Sequence, residues 1–216
     1  MTSGRLSEIL AYAVQVHISL RQQVDFNLED KKHAIFLLQG GALTALATAM
    51  EFNQIGYMVP RAQQKRMIDE IVDVINFFDE IDDDARQIKA WFKGKVVERE
   101  PGNKGNLTEE ERATRYYFSP DQVKAFDKLR KEINKVMSDF MHPTLRAIRA
   151  NVSKSTNLFD YFHQTTSSQA MNPVDFGNLY TVPVLDALLI PVRILMLTEA
   201  QFNQLRSCDK ELENSY

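Results

Sequence analysis

A-I-F-L-L-Q-G-G-A-L-T-A-L-A-T-A, residues 34–49, is apolar nearly all round when it is placed on a helix. A helix without a polar face is buried on several sides in a globular protein. This stretch therefore predicts the central helix of the fold. The adjacent Gly40 and Gly41 weaken the helix by about 2 kcal/mol relative to two alanines. That loss predicts either a kink or a close crossing by another helix.

Helical periodicity also dominates the rest of the chain, because apolar residues recur at spacings of three and four and no segment shows sustained alternation. The pattern predicts an all-α bundle of six or seven helices in a single domain that covers residues 1–216. In the third helix, Met67, Ile68 and Ile71 are predicted to face inward. In the first half of the chain the predicted helices cover about 4–23, with Ser3 as N-cap, 27–57, 60–81 and a short segment that ends at Gly94. In the second half, Ser119-Pro120 starts a helix over 120–142, and a short helix continues to about 152. The last predicted helix covers 176–206 and bends at Pro183 and Pro191.

Composition and charge exclude several classes of protein. The chain has 216 residues, 44% of them hydrophobic, and a net charge of -3, so it has no bulk attraction to nucleic acid or anionic membrane. Cys208 is the only cysteine, which excludes an intramolecular disulfide. No signal-like segment stands at the N-terminus, and the longest apolar run, 182–197, is interrupted and too short to span a bilayer. These features predict a cytoplasmic protein without a membrane span.

A charged stretch poor in apolar residues, 95–117, separates the two halves of the predicted bundle. Pro101, Gly102 and Gly105 interrupt it, so we expect a mobile loop. Trp91, just before this stretch, is expected to pack against the helix that ends at His142.

Carboxylate–histidine pairs at helical spacing are the first candidate for chemistry. Three histidines follow an aspartate by three residues, which places each pair on one helical face. Such pairs on several helices hold the metals of ferritin-like bundles, and this pattern suggests a transition-metal site. Aspartate is short for that template, however, and the inward glutamates that complete it are missing, so helix capping is the competing interpretation. The metal-ligand candidates are Asp30, His33, Asp139 and His142.

His142 and its surroundings supply two further hypotheses. Ser138 precedes it by one helical turn, so the two are candidate catalytic residues, although a third orienting group is not evident. A basic stripe lies opposite the apolar face of the same helix and would suit a phosphate backbone. No aromatic residue is interleaved with the stripe, so a solvated outer face is the competing interpretation. The nucleic-acid-binding candidates are Lys124, Lys128, Lys131, Lys135, Arg146 and Arg149.

Two buried-site predictions concern structure rather than chemistry. His17 falls on the apolar face of the first helix and is predicted to be a satisfied core histidine. Glu51 and Arg61 flank the turn after the central helix, and they are predicted to form a structural ion pair.

The motifs W-x-x-G at 91–94, S-P-x-x-V at 119–123 and S-x-x-x-H-P at 138–143 resemble an uncharacterised all-helical bacterial domain family. The resemblance covers the middle third of the chain and implies a helical fold in which His142 matters, without an activity. There is a looser similarity to the HEPN helical ribonucleases, which carry an arginine four to six residues before a histidine. No arginine stands at those positions before His142.

The leading hypothesis is a non-enzymatic helical interaction protein, part of a bacterial defence or stress system, with an unidentified protein partner and no cofactor. The first alternative is an RNA-binding or nuclease-like domain that uses His142 and the basic stripe. The second is a metal-binding bundle. We also expect a homodimer, with the proline-bent last helix as its interface.

Overall fold

The computed structural model describes residues 2–82, 85–95, 128, 170–191 and 194–213. Within these ranges the secondary structure is helical without any β-strand, which confirms the predicted all-α class. The predicted mobile loop, apart from Lys95, and the predicted helices between 120 and 152, apart from Lys128, lie outside the described residues. The helices are α1 (Ser3–Leu20), α2 (Lys31–Gln54), α3 (Met58–Glu80), α4 (Arg86–Phe92), α5 (Pro173–Phe176), α6 (Val182–Leu189) and α7 (Glu199–Glu213); a 3₁₀ turn, Arg21–Gln23, follows α1, and a π-helical turn, Gly177–Thr181, joins α5 to α6.

α2 is the central helix, as its composition predicts. It packs against α1, α3, α4, α6 and the π-helical turn. It begins later than predicted because Asp30 caps its first turn, where the Asp30 carboxylate accepts a hydrogen bond from the backbone N–H of His33 at 2.8 Å. By length and hydropathy α2 could also cross a membrane, but half of its most apolar window is buried inside the structure, as in the core helix of a bundle.

The two glycines of α2 allow close packing of two different neighbouring helices. A Cβ atom on Gly40 would lie 3.2 Å from Cε1 of His17 in α1, and one on Gly41 would lie 3.4 Å from Cδ1 of Ile71 in α3. The helix runs without interruption through both positions. Of the two sequence-based alternatives, the close crossing is therefore the correct one.

We expect alanine to act differently at these two positions, although each replacement raises helix propensity by about 1 kcal/mol. Gly41→Ala should stabilise the protein by about 0.5–1 kcal/mol, because its methyl group meets only ordinary contact with Ile71. Gly40→Ala should lose this gain, because the methyl group pushes against the His17 ring. Urea unfolding of both variants measures the difference, and His17→Ala should restore the gain in the Gly40→Ala background. Equal stabilisation by both alanines would contradict the close crossing.

The inward face of α3 agrees with its prediction at Ile68, which is 0% exposed, and at Ile71, which packs against the core, and differs from it at Met67. Met67 is 48% exposed, whereas Arg61, Lys65 and Asp69 are buried beside Ile68. Met67 lies on the flank of the buried stripe, three turns before Phe78. Phe78 is covered by the Trp91 ring of α4, with ring centroids 6.0 Å apart. Met67 lies outside the part of α3 that α4 covers.

The predicted last helix is two helices rather than one. In the π-helical turn the N–H of Val182 reaches back five residues to the carbonyl of Gly177, and Pro183 follows directly. Because proline has no N–H, this wider turn carries the chain past it without a break. Pro191, by contrast, follows the end of α6 at Leu189. The chain then turns before α7 begins.

α6 is not a free interface. Val184, Leu185 and Ala187 are each 0% exposed, so the apolar residues of α6 are buried inside the chain, and the homodimer stays a prediction. The sequence pattern could not distinguish burial within the chain from burial by a partner. The N-cap of α1 is a smaller correction, because Thr2 rather than Ser3 accepts the hydrogen bond from the N–H of Arg5, at 3.2 Å.

α1 and α7 lie side by side and run in opposite directions. The guanidinium group of Arg5, at the start of α1, is 2.8 Å from the carboxylate of Glu211 near the end of α7. At the other end, the amide of Gln201 donates to the hydroxyl of Ser19 at 2.8 Å. The exposed Arg5 pair raises the pKa of the guanidinium and lowers that of the Glu211 carboxyl.

Candidate functional site

Asp30 and His33, the described half of the predicted metal site, make local contacts. The Asp30 carboxylate accepts from the backbone N–H of His33, and Nδ1 of the His33 ring lies 2.8 Å from the carbonyl of Leu28. Asp139 and His142 lie outside the described residues. Over the ranges that the structure covers, no three His, Cys, Asp or Glu side chains form a group that could hold a metal. The site that includes Asp139 and His142 stays a prediction.

The other candidate residues fall almost entirely outside the described chain. Lys128 is helical and exposed, as a residue of a solvated basic stripe should be. The catalytic and nucleic-acid-binding hypotheses at these positions stay predictions. The candidates outside the described residues are Ser138, His142, Lys124, Lys131, Lys135, Arg146 and Arg149.

The prediction that His17 is satisfied is confirmed, but its ring is half-buried rather than inside the core. Its Nε2 lies 2.9 Å from the carbonyl oxygen of Phe36, and its ring stacks on the Phe36 ring at 4.2 Å between centroids. Burial lowers the pKa of the His17 imidazole, and the hydrogen bond to Phe36 opposes that shift. His17 thus joins α1 to α2.

The predicted Glu51–Arg61 ion pair is replaced by a different contact. Glu51 is exposed, while the buried guanidinium group of Arg61 donates to Oδ1 of Asn53. Asn53 also holds the backbone of Met171, whose N–H donates to Oδ1 at 2.7 Å and whose carbonyl accepts from Nδ2 at 3.1 Å. Arg61 and Asn53 together fix the chain before α5 to the turn between α2 and α3.

A buried charged cluster, formed by Arg61, Lys65, Asp69 and Tyr180, lies where α3 meets the π-helical turn. Nζ of Lys65 is 2.5 Å from Oδ1 of Asp69, and both side chains are almost fully buried. The Tyr180 hydroxyl donates a long bond of 3.4 Å to the carbonyl of Arg61. Burial raises the pKa of Tyr180 to about 12, and the nearby Arg61 opposes the shift. In the described part of the chain, Oδ2 of Asp69 is buried without a hydrogen-bond partner.

Sequence reasoning missed this cluster although its signal is present. Arg61, Lys65 and Asp69 are spaced by four, so they share one face of α3. They also interleave with the apolar residues of the buried stripe. Charged residues are rarely buried, and the spacing alone gives no reason to place them inside.

An aromatic strip, formed by Phe26, His33 and Phe92, crosses the surface between the α1–α2 connection and α4. The ring centroids of Phe26 and His33 are 5.0 Å apart, and those of His33 and Phe92 are 4.9 Å apart. Phe26 is 42% exposed, and the other two rings are half-buried. The strip is anchored beneath by an edge contact of Phe26 with the buried Phe36 at 5.7 Å.

Exposed aliphatic side chains flank the aromatic strip. Leu28 in the connection is 51% exposed, and Leu37, one turn after His33 on α2, is 43% exposed. Large apolar side chains exposed side by side mark interaction surfaces more often than scattered ones do. This apolar surface, the strip with Leu28 and Leu37, is the candidate functional site.

The sequence gives only a partial signal for this surface. Phe26 and Leu28 are large apolar residues in a polar connection between two helices, and this is the only sign of the surface in the sequence. Phe92, however, is far from both along the chain, and it reaches the strip only because α4 packs on the start of α2. Trp91 packs against Phe78 of α3 and against Phe92. Its predicted contact with the helix that ends at His142 involves residues outside the described ranges.

Comparison with known proteins finds no matching family model, no similar curated protein and no similar solved structure. The resemblances to the helical bacterial domain family and to the HEPN ribonucleases therefore stay predictions. The class that the fold defines is an all-α helical protein.

Proposed function

We propose that this chain is a non-enzymatic helical interaction protein that binds a macromolecular partner through the aromatic strip and its apolar flank. The observation that supports the proposal is the exposure of Phe26, Leu28 and Leu37 around a row of touching rings. Rigid aromatic side chains bury much area at little entropic cost when a partner covers them. The strip is rigid because Phe26 and Phe92 both pack against His33.

The contacts of the reactive side chains also favour this function over catalysis. The Asp30 carboxylate caps α2, the His17 ring binds the Phe36 carbonyl, and Lys65 pairs with Asp69. Each of these groups serves the fold in a way that accounts for its position. We further propose a cytoplasmic setting, such as a bacterial defence or stress system, in which such a module would join other components.

A photoreactive residue placed at Leu28 tests the proposal in the cells that make the protein. We expect discrete crosslinked species from position 28, and we expect Phe26→Ser to abolish them by removing the neighbouring ring. The matched control is the same residue at Met67, which is exposed to a similar degree on α3. Position 67 should give no species that depends on Phe26. Crosslinks of equal strength from both positions, or crosslinks that survive Phe26→Ser, would show that this surface is not the binding site.

A further inference from the structure

The segment that carries one end of the aromatic strip is strongly basic within a chain of net charge -3. Residues 85–95 hold four cations and no carboxylate. Arg86, Lys89 and Lys93 are exposed, and their spacings of three and four place them on one outer face of α4. Lys95 is also exposed and follows Gly94, whose φ of 74° ends the helix. We call these four residues the α4 cations.

The α4 cations are available to a ligand. Unlike Arg5, Lys65 or Arg66, none of them forms an ion pair within the described ranges. Lys89 lies one turn before Phe92 on the same side of α4. The basic face therefore begins directly beside the aromatic strip.

A fifth cation lies at the opposite end of the strip. The guanidinium carbon of Arg21 is 5.2 Å from the centroid of the Phe26 ring, which is a cation–π distance. The strip is thus a row of three partly exposed rings with the α4 cations at one end and, at the other, Arg21 on the Phe26 ring near the exposed carboxylates of Asp25 and Glu29. The acidic residues Asp79, Glu80 and Asp82 precede α4 in the chain.

We infer that this surface binds single-stranded nucleic acid, with bases stacked on the aromatic strip and phosphates held by Arg21 and the α4 cations. Proteins that bind single strands without sequence preference combine a positive groove with aromatic platforms. The centroids of neighbouring rings are 4.9–5.0 Å apart and their planes are inclined by 66° and 48°, so the rings present separate surfaces on which bases of an unstacked strand can pack. This inference rests on the proposed function and names the partner class of the same site.

Charge decides against a second copy of the chain as the partner. A two-fold symmetric dimer brings the same patch of both subunits together. Around this strip such a dimer would bring two sets of α4 cations to one interface, against which the surface offers only the exposed carboxylates of Asp25 and Glu29 near Phe26. A phosphate backbone instead supplies the opposite charge along the whole length of the strip. This surface also differs from the predicted basic stripe around Lys128, whose neighbouring aromatic residue, Phe126, is predicted to lie on the opposite, apolar face.

Binding of short, fluorescently labelled single-stranded RNA and DNA of mixed sequence to the purified full chain tests the inference. Anisotropy is measured over a range of salt concentrations. The double variant Lys89→Glu/Lys93→Glu should weaken binding at least about tenfold and make the slope of log affinity against log salt shallower by about 1.4, at about 0.7 for each lost phosphate contact. Phe92→Leu should weaken binding about tenfold with the salt slope unchanged, because it removes a stacking platform and no charge.

Three measurements distinguish binding at this surface from lost folding and from binding elsewhere on the chain. Lys210→Glu, a charge reversal on the exposed face of α7, should leave affinity and salt slope unchanged. The unfolding midpoints of all variants should match that of the parent protein, which excludes unfolding as the cause of weaker binding. Loss of binding in Lys128→Glu with Lys89→Glu/Lys93→Glu unaffected would assign the nucleic acid to the predicted basic stripe and overturn the inference.

The proposed function and this inference fail in different ways. No binding of either oligonucleotide, together with Phe26-dependent crosslinks to a protein from position 28, would overturn nucleic-acid binding and leave the interaction function in place. An acidic protein segment would be one such partner. Equal affinity for duplex and single strand would also overturn the inference, because stacking on the strip requires unpaired bases. Single-strand binding that depends on Phe92 and on the α4 cations supports both.

Discussion

Lys65→Met is expected to destabilise the protein by about 3–5 kcal/mol, because it leaves the buried Asp69 carboxylate without its cation. One oxygen of that carboxylate already lacks a partner among the described residues, so the remaining charge would be poorly compensated. The double variant Lys65→Met/Asp69→Leu should recover most of the loss, because it removes both charges from the interior. Urea unfolding of the two single variants and the double variant gives the coupling energy.

The same helix supplies a matched control for this cycle. Arg66 and Glu70 form an ion pair with the same spacing at 2.8 Å, but their side chains are 51% and 65% exposed, against 5% and 11% for Lys65 and Asp69. Arg66→Met should therefore cost less than about 1 kcal/mol. If Lys65→Met cost no more than Arg66→Met, the buried charged cluster would not contribute to stability as we describe.

Tyr180→Ala is the second variant with a large expected effect: it should lower the free energy of unfolding by about 3–5 kcal/mol. Tyr180 is 0% exposed, and its ring stacks on Phe176 with centroids 4.5 Å apart. Tyr180→Phe is the matched control, because it keeps the ring and removes only the hydroxyl. Its bond to the Arg61 carbonyl is long at 3.4 Å, so the loss should stay below about 1 kcal/mol. Thermal or urea unfolding distinguishes the two; a large loss in Tyr180→Phe would mean that the hydroxyl matters more than the packing.

Comparing the parent protein with Tyr180→Phe also tests how the stability of the fold depends on pH. Burial raises the pKa of Tyr180 to about 12 in the folded protein, against about 10 in an unfolded chain. The unfolded chain therefore releases this proton first as pH rises, and stability falls between about pH 10 and 12. Tyr180→Phe should show a shallower decline over that window. Identical stability–pH profiles for the parent protein and Tyr180→Phe would contradict the raised pKa of the buried Tyr180.

The local elements of this fold and the apolar inward residues of α3, apart from Met67, could be predicted from the sequence, and its buried charged residues could not. The apolar run at 34–49 identifies the central helix because burial on all sides leaves no polar face. Gly94 marks the end of α4 because only a residue without a side chain adopts its positive φ easily. The burial of Lys65 and Asp69 could not be predicted in this way, because each charged side chain is buried only as the partner of the other. The continuity of the chain through Pro183 depends on one π-helical turn that composition does not reveal.

The candidate site is still harder to predict, because it depends on distance in space rather than along the chain. Phe26 and His33 are near neighbours in the sequence, but Phe92 joins them through the packing of α4 on α2. The motif W-x-x-G at 91–94 includes Phe92 and Lys93 at its two unspecified positions. The fixed tryptophan and glycine of the motif therefore do not indicate the residues that form the surface.

The antiparallel pairing of α1 with α7 has a consequence for synthesis of the protein. Arg5 and Glu211 are 206 positions apart, yet they touch in the folded state. At about 5–20 residues per second, a ribosome makes the second helix of this pair about 10–40 s after the first. Contacts this distant in sequence also form slowly, because a long loop must close first. The contact of α1 with α2 can thus form early, whereas the part of α1 that α7 covers stays without that neighbour until α7 has been made.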